Sequence, residues 1–173
     1  MQNTTIPTPS FAWADTIQPA ADLLNRRPRS WIGHSGETIT GPEVAAHLDA
    51  VADLLTTAGW VRTYTDTTDR ITIPDPEGMS VPAMLRTLLR TARQLLGRDD
   101  PRRTLWSAMY QTGDTDTAHV AGNVLAAILR ARTGASGPVS YTSWAERPHR
   151  TGDDIAQLLA TGADLAHQHG PTT

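Results

Sequence analysis

The stretch "WAERPHRTGDDIAQLL", residues 144–159, runs from an aromatic residue through a polar, proline-containing loop straight into a helix start. Thr151 stands where a helix N-cap is wanted, Asp154 follows three residues later, and both acids of "GDD" fall in the first turn, where the positive end of the helix dipole favours them. Ile155, Leu158, Leu159, Gly162 and Leu165 then recur at helical spacing and predict a final helix from Thr151 to about residue 168. Trp144 precedes the cap by seven residues, too far for a hydrophobic staple. Its ring is expected to cover the seam between the loop and the body of the protein, which makes the motif structural rather than catalytic.

Working back along the chain gives more helices of the same kind. Thr40, Pro42 and Glu43 form a capping-box start, and Val44, Leu48, Val51 and Leu55 make one buried stripe that ends at Gly59. A short helix is predicted at about 15–25, stopped by Pro28. The segment 80–97 carries Leu85, Leu88, Leu89, Ala92, Leu95 and Leu96 as a continuous apolar face. "DP" at 100–101 opens a helix through "RRTLWSAMYQ", and "GDTDT" opens the next, which is apolar nearly all round and is the candidate central helix. Between the second and third helices, "WVRTYTDTTDRITIP" changes period from 3.6 to 2 and predicts a β-hairpin near residues 60–73. The fold class is therefore mainly α: a single-domain bundle of five or six helices with one small hairpin. It occupies residues 15–169, with a flexible arm at 1–14 and a frayed tail at 170–173.

Composition removes several functions. No cysteine is present, so disulfides, thiolate metal sites and a cysteine nucleophile are excluded. All 15 basic residues are arginine, which removes Schiff-base chemistry and a P-loop lysine. The net charge of -3 is too small to enforce disorder. No apolar run has the roughly 18–20 residues that span a bilayer, and the first residues lack the pattern of a signal peptide, so a cytoplasmic protein with no membrane contact is expected.

At "WAERPHRT", Trp144, Pro148, Arg150 and Thr151 resemble the closing Trp-Asn-Asp-x-Pro-x-Arg-Thr motif of a family of small, functionally uncharacterised proteins from GC-rich bacteria and their mobile elements. "AVADLLTTAGW", with Ala52, Leu55, Gly59 and Trp60, is similar to that family's helix-Gly-Trp opening. The chain departs from the pattern at Ala145 and Glu146. The resemblance implies a mainly helical single domain and brings no activity with it.

The residues themselves point away from catalysis. His34, His47, His119, His149, His167 and His169 show no metal-ligand spacing, so no metal and no cofactor is expected. Asp99 with Asp100, Asp114 with Asp116, and Asp153 with Asp154 each stand where helix capping alone would put them. Serine elbows and glycine-rich phosphate loops are missing. The helix at 41–58 followed by a hairpin has the order of a recognition helix and wing. Its outward positions, Glu43, His47, Asp49 and Asp53, would nevertheless repel phosphate.

One uneven feature remains. Arg86, Arg90 and Arg93 recur on one side of the third helix, and Arg98, Arg102 and Arg103 continue past it, so six of the 15 arginines lie within 18 residues. They are the candidate partner-binding residues. The expectation is a non-enzymatic binding or regulatory protein with a macromolecular partner, a protein before a nucleic acid because the whole chain is slightly acidic. The alternatives are a nucleic-acid binder using the same arginines and a small enzyme with carboxylate chemistry.

Overall fold

A computed structural model describes residues 12–63, 80–95 and 101–173. The described residues form seven α-helices and no strand: α1 Ile17–Asn25, α2 Gly41–Ala58, α3 Val81–Leu95, α4 Leu105–Gln111, α5 Thr115–Thr133, α6 Tyr141–Ala145 and α7 Gly152–His169, with a 3-10 turn at Ala14–Thr16 before α1. The mainly helical class is as the sequence predicts. The hairpin is not supported: most of it lies outside the described residues, and its described start pairs elsewhere. Trp60 bridges in parallel to Arg103, with Val61 N–H donating to the Arg103 carbonyl and Arg103 N–H to that of Gly59.

Local chemistry sets the helix ends. Thr40 and Glu43 form the capping box of α2, with the Thr40 N–H donating to Glu43 Oε2 at 2.8 Å. Thr151 and Asp154 repeat the arrangement on α7. Asp114 caps α5 through the Thr117 N–H at 2.8 Å. At α4 the predicted start moves: Thr104, not Asp100, accepts the capping N–H, from Ser107. The additional helix is α6. It is one turn long and falls inside the stretch that reads as a loop from sequence, capped by Ser140.

α2, α5 and α7 enclose the core, with α1, α4 and α6 packed around them. Leu48, Leu125, Ile128, Ile155, Leu158, Leu159 and Leu165 are all completely or almost completely buried. Gly162 allows the close approach, because a Cβ there would meet Leu125 Cδ2 at 2.8 Å and Leu48 Cδ1 at 2.9 Å. α5 is buried along most of its length, from Thr117 to Leu129, as expected of a central helix. At the chain end, Gly41 N–H donates to the Pro171 carbonyl at 2.7 Å and ties residue 171 to the start of α2.

The closing motif holds one end of this body together. Trp144 is 2% exposed, and Trp13 meets its edge at 6.0 Å in a T-shaped contact. Arg132 in turn covers Trp13 at 4.0 Å. After α6 the chain makes a turn with Pro148 at its second position, closed by the Arg150 N–H on the Arg147 carbonyl. That turn brings the Arg150 guanidinium over Trp144 and within 3.8 Å of Asp154, one turn into α7. Ala145, where the resemblance has asparagine, is itself buried.

Candidate functional site

Helix α3 stands apart from this packing. Val81 is 79% exposed, Leu85 and Leu88 59%, and Leu89 61%, although the same residues would make a core stripe on any packed helix. Leu85, Leu88, Leu89 and Ala92 of the predicted apolar face are therefore present and uncovered, while Leu96 lies outside the described residues. With so few aromatics in the chain, Trp60, Trp106 and Trp144 are all expected in the core or a seam, yet Trp106 is 56% exposed and lies against Tyr110 on the surface of α4. Trp60 is half-buried against the core, as a seam residue.

Helical geometry places the arginines relative to that face. At 100° per residue, positions 86, 90 and 93 fall together on one border of the apolar arc, while Thr87 and Thr91 fall on the other. The helix Val81–Leu95 holds these three arginines and no acid. Arg86 is exposed. Arg103 is engaged within the fold: its Nε donates to Gln111 and its Nη1 to the carbonyls of Pro101 and Arg102, fixing the entry to α4. Arg102 lays its aliphatic stem against Gly59. Arg98 lies outside the described residues. Arg150, with Trp144, Pro148 and Thr151, belongs to the structural seam.

Polar residues distant in sequence also meet, and this grouping was not predicted. Asp116 in the first turn of α5 accepts the His34 N–H at 2.8 Å and that of Ser35, drawing the loop before α2 onto α5. The His34 and His119 rings then lie 3.9 Å apart, centre to centre. Hydrogen bonds from Ser35 and His34 hold the Asp116 carboxyl below its usual range. With both carboxylate oxygens accepting backbone N–H groups, Asp116 acts as a loop anchor. Among the described residues no three histidine or carboxylate side chains are arranged to hold a metal ion.

The carboxylate pairs resolve in the same way. Asp114 and Asp154 are caps, while Asp99 and Asp100 lie outside the described residues. His47, read as outward-facing, is buried instead, with burial pushing its ring below the ordinary histidine range. A cleft of about 220 Å³ between α1 and α5 is lined by Leu24, Arg27, Arg29, Asn123 and Arg130. Arg130 is committed there to the carbonyls of Ala135 and Ser136, so it clamps the loop after α5.

The described residues thus define a helical-bundle protein whose most exposed apolar feature is a basic amphipathic helix. No helix among them is long and apolar enough to cross a membrane. The chain belongs to a family of unknown function, DUF6197, whose model matches residues 39–165 and so spans α3, the capped starts of α2 and α7, and the Trp144 seam. No curated protein and no solved structure matches the chain.

Proposed function

We propose that this protein is a non-enzymatic binding protein whose contact element is α3, and that its partner is a protein with an apolar groove bearing acidic groups along one rim. The observation that carries the reading is the exposure of Val81, Leu85, Leu88 and Leu89 on a helix with arginines along one border. Contiguous exposed apolar surface on a bundle marks an interaction site, and an amphipathic helix laid in a groove reads its partner through anchors at this spacing. The arginine border sets the orientation and speeds encounter with an acidic rim. A nucleic acid would be met by charge alone and would leave the leucines in water.

A photoreactive amino acid at position 88, in the cells that make the protein, tests this reading. Irradiation should join the chain at position 88 to one protein identified by mass spectrometry, whereas the same group at exposed Gln18 on α1 should not. Equal labelling from both positions, or none from position 88, contradicts the reading.

A further inference from the structure

One surface of the chain has the chemistry that α3 requires. Between α2 and α7 runs a cleft of about 240 Å³, in which Ala52, Thr56, Trp60 and Ala156 remain accessible over a floor of the buried Leu55, Ile155 and Leu159. Asp153 stands at its α7 end, among the lining residues. On α2, Asp49 and Asp53 share one helix face with Ala52 and Thr56 of the cleft lining, at i, i+3, i+4 and i+7, which places two more acids on the α2 side of the cleft. Asp49, Asp53 and Asp153 are exposed, and none is paired with a base among the described residues. The cleft is an apolar groove with an acidic rim of three charges, facing the need of a leucine face with a border of three arginines.

None of the cleft's lining residues comes from α3, and Leu85, Leu88 and Leu89 remain in water, so among the described residues of one chain both complementary surfaces are left open. We propose that a second copy of the chain closes them: α3 of each copy lies in the α2–α7 cleft of the other, with Leu85, Leu88 and Leu89 inward and the arginine border against Asp49, Asp53 and Asp153. The contact is reciprocal, as a two-fold dimer requires. A 15-residue helix is about 22 Å long and 10–12 Å wide. With half of each helix surface covered and both partners counted, two such contacts bury on the order of 1,500 Å², within the range of stable protein interfaces. This inference rests on the reading of α3 as the contact element and names its partner.

The absence of native cysteine makes the test clean. Leu88→Cys and Ala156→Cys are placed on separate chains, mixed and oxidised, and the joined peptides are identified by mass. The expected product is an 88–156 disulfide between chains, at twice the 18.7 kDa of one chain. The unmodified protein should sediment as a dimer, and Leu88→Asp with Leu89→Asp should weaken association roughly 100-fold while leaving the helical circular dichroism unchanged. A wild-type monomer at tens of micromolar, a dimer that survives the aspartates, or exclusive 88–88 linkage overturns the proposal. So does a Leu88→Cys, Ala156→Cys double variant that closes only within one chain. If the chain is monomeric while position 88 still labels another protein in cells, the second copy is excluded and α3 remains the contact element. If position 88 labels nothing, both ideas fail together.

Discussion

The guanidinium of Arg150 lies 4.1 Å from the centre of the Trp144 ring, and the same group reaches Asp154 in the first turn of α7. One side chain thereby covers a buried indole and extends its contact to the acid that caps the next helix. Changing Trp144 to Ala should destabilise the domain by about 3–5 kcal/mol in a denaturant titration. Thr151→Ala should cost about 1 kcal/mol through the lost cap. Unchanged midpoints in both variants would show that the motif is not the structural seam described above.

At Gly162 the backbone of α7 sits against Leu48 and Leu125 with no room for a methyl group. Gly162→Val should therefore destabilise by about 1–3 kcal/mol by overpacking, even though helix propensity alone favours valine over glycine. A variant that melts at or above the wild-type temperature would mean that the three core helices separate more easily than their contacts indicate.

Acid should destabilise the fold before its carboxylates titrate. Burial lowers the pKa of His47 against the opposing effect of Asp114 and a bond to the Met109 carbonyl. Burial and then the neighbouring His34 lower that of His119, opposed by Asp116. Both folded values lie below the unfolded value of about 6.5, so the unfolded chain takes up protons first as the pH falls. The corresponding stability is complete above about pH 7 and is lost through the folded values below it. Melting temperature should fall between pH 8 and pH 5, and His47→Leu should flatten that slope. The depressed pKa values of Asp114, Asp116 and Glu43 act in the same direction but only below about pH 4. A melting temperature that rises on acidification contradicts the assignment.

Replacing Arg86, Arg90 and Arg93 together with Gln should leave the helices intact, since glutamine is nearly as good a helix former and the leucine face is untouched. Dimer dissociation should rise on the order of tenfold at low salt, and its dependence on ionic strength should flatten. Duplex DNA should give no salt-dependent gel shift with the wild-type chain. A shift whose salt slope falls by about 0.9 per lost phosphate contact in the triple variant would assign the arginines to nucleic acid instead.

What the sequence made legible was local. The capping boxes Thr40–Glu43 and Thr151–Asp154 need only residues three apart, and both helices begin where those residues say. The central place of α5 follows from its apolar circumference. Periodicity also found the leucine face of α3, but a period states which side is apolar and not what covers it. The contact of Trp13 with Trp144 and the hold of Asp116 on His34 join positions far apart in the chain, and neither has a local signature. α6 was hidden because five residues are too short to show a period. Trp106 was misplaced because an aromatic at i, i+4 from Tyr110 reads the same on a surface as in a core.

The central claim, that the leucine face of α3 is covered by a second copy of the chain, is tested most directly by backbone hydrogen exchange at several protein concentrations. Amides of residues 84–95 should become more protected as concentration rises, and Leu88→Asp with Leu89→Asp should abolish the dependence while leaving α2 and α5 unaffected. Exchange in α3 that is identical at every concentration would contradict it.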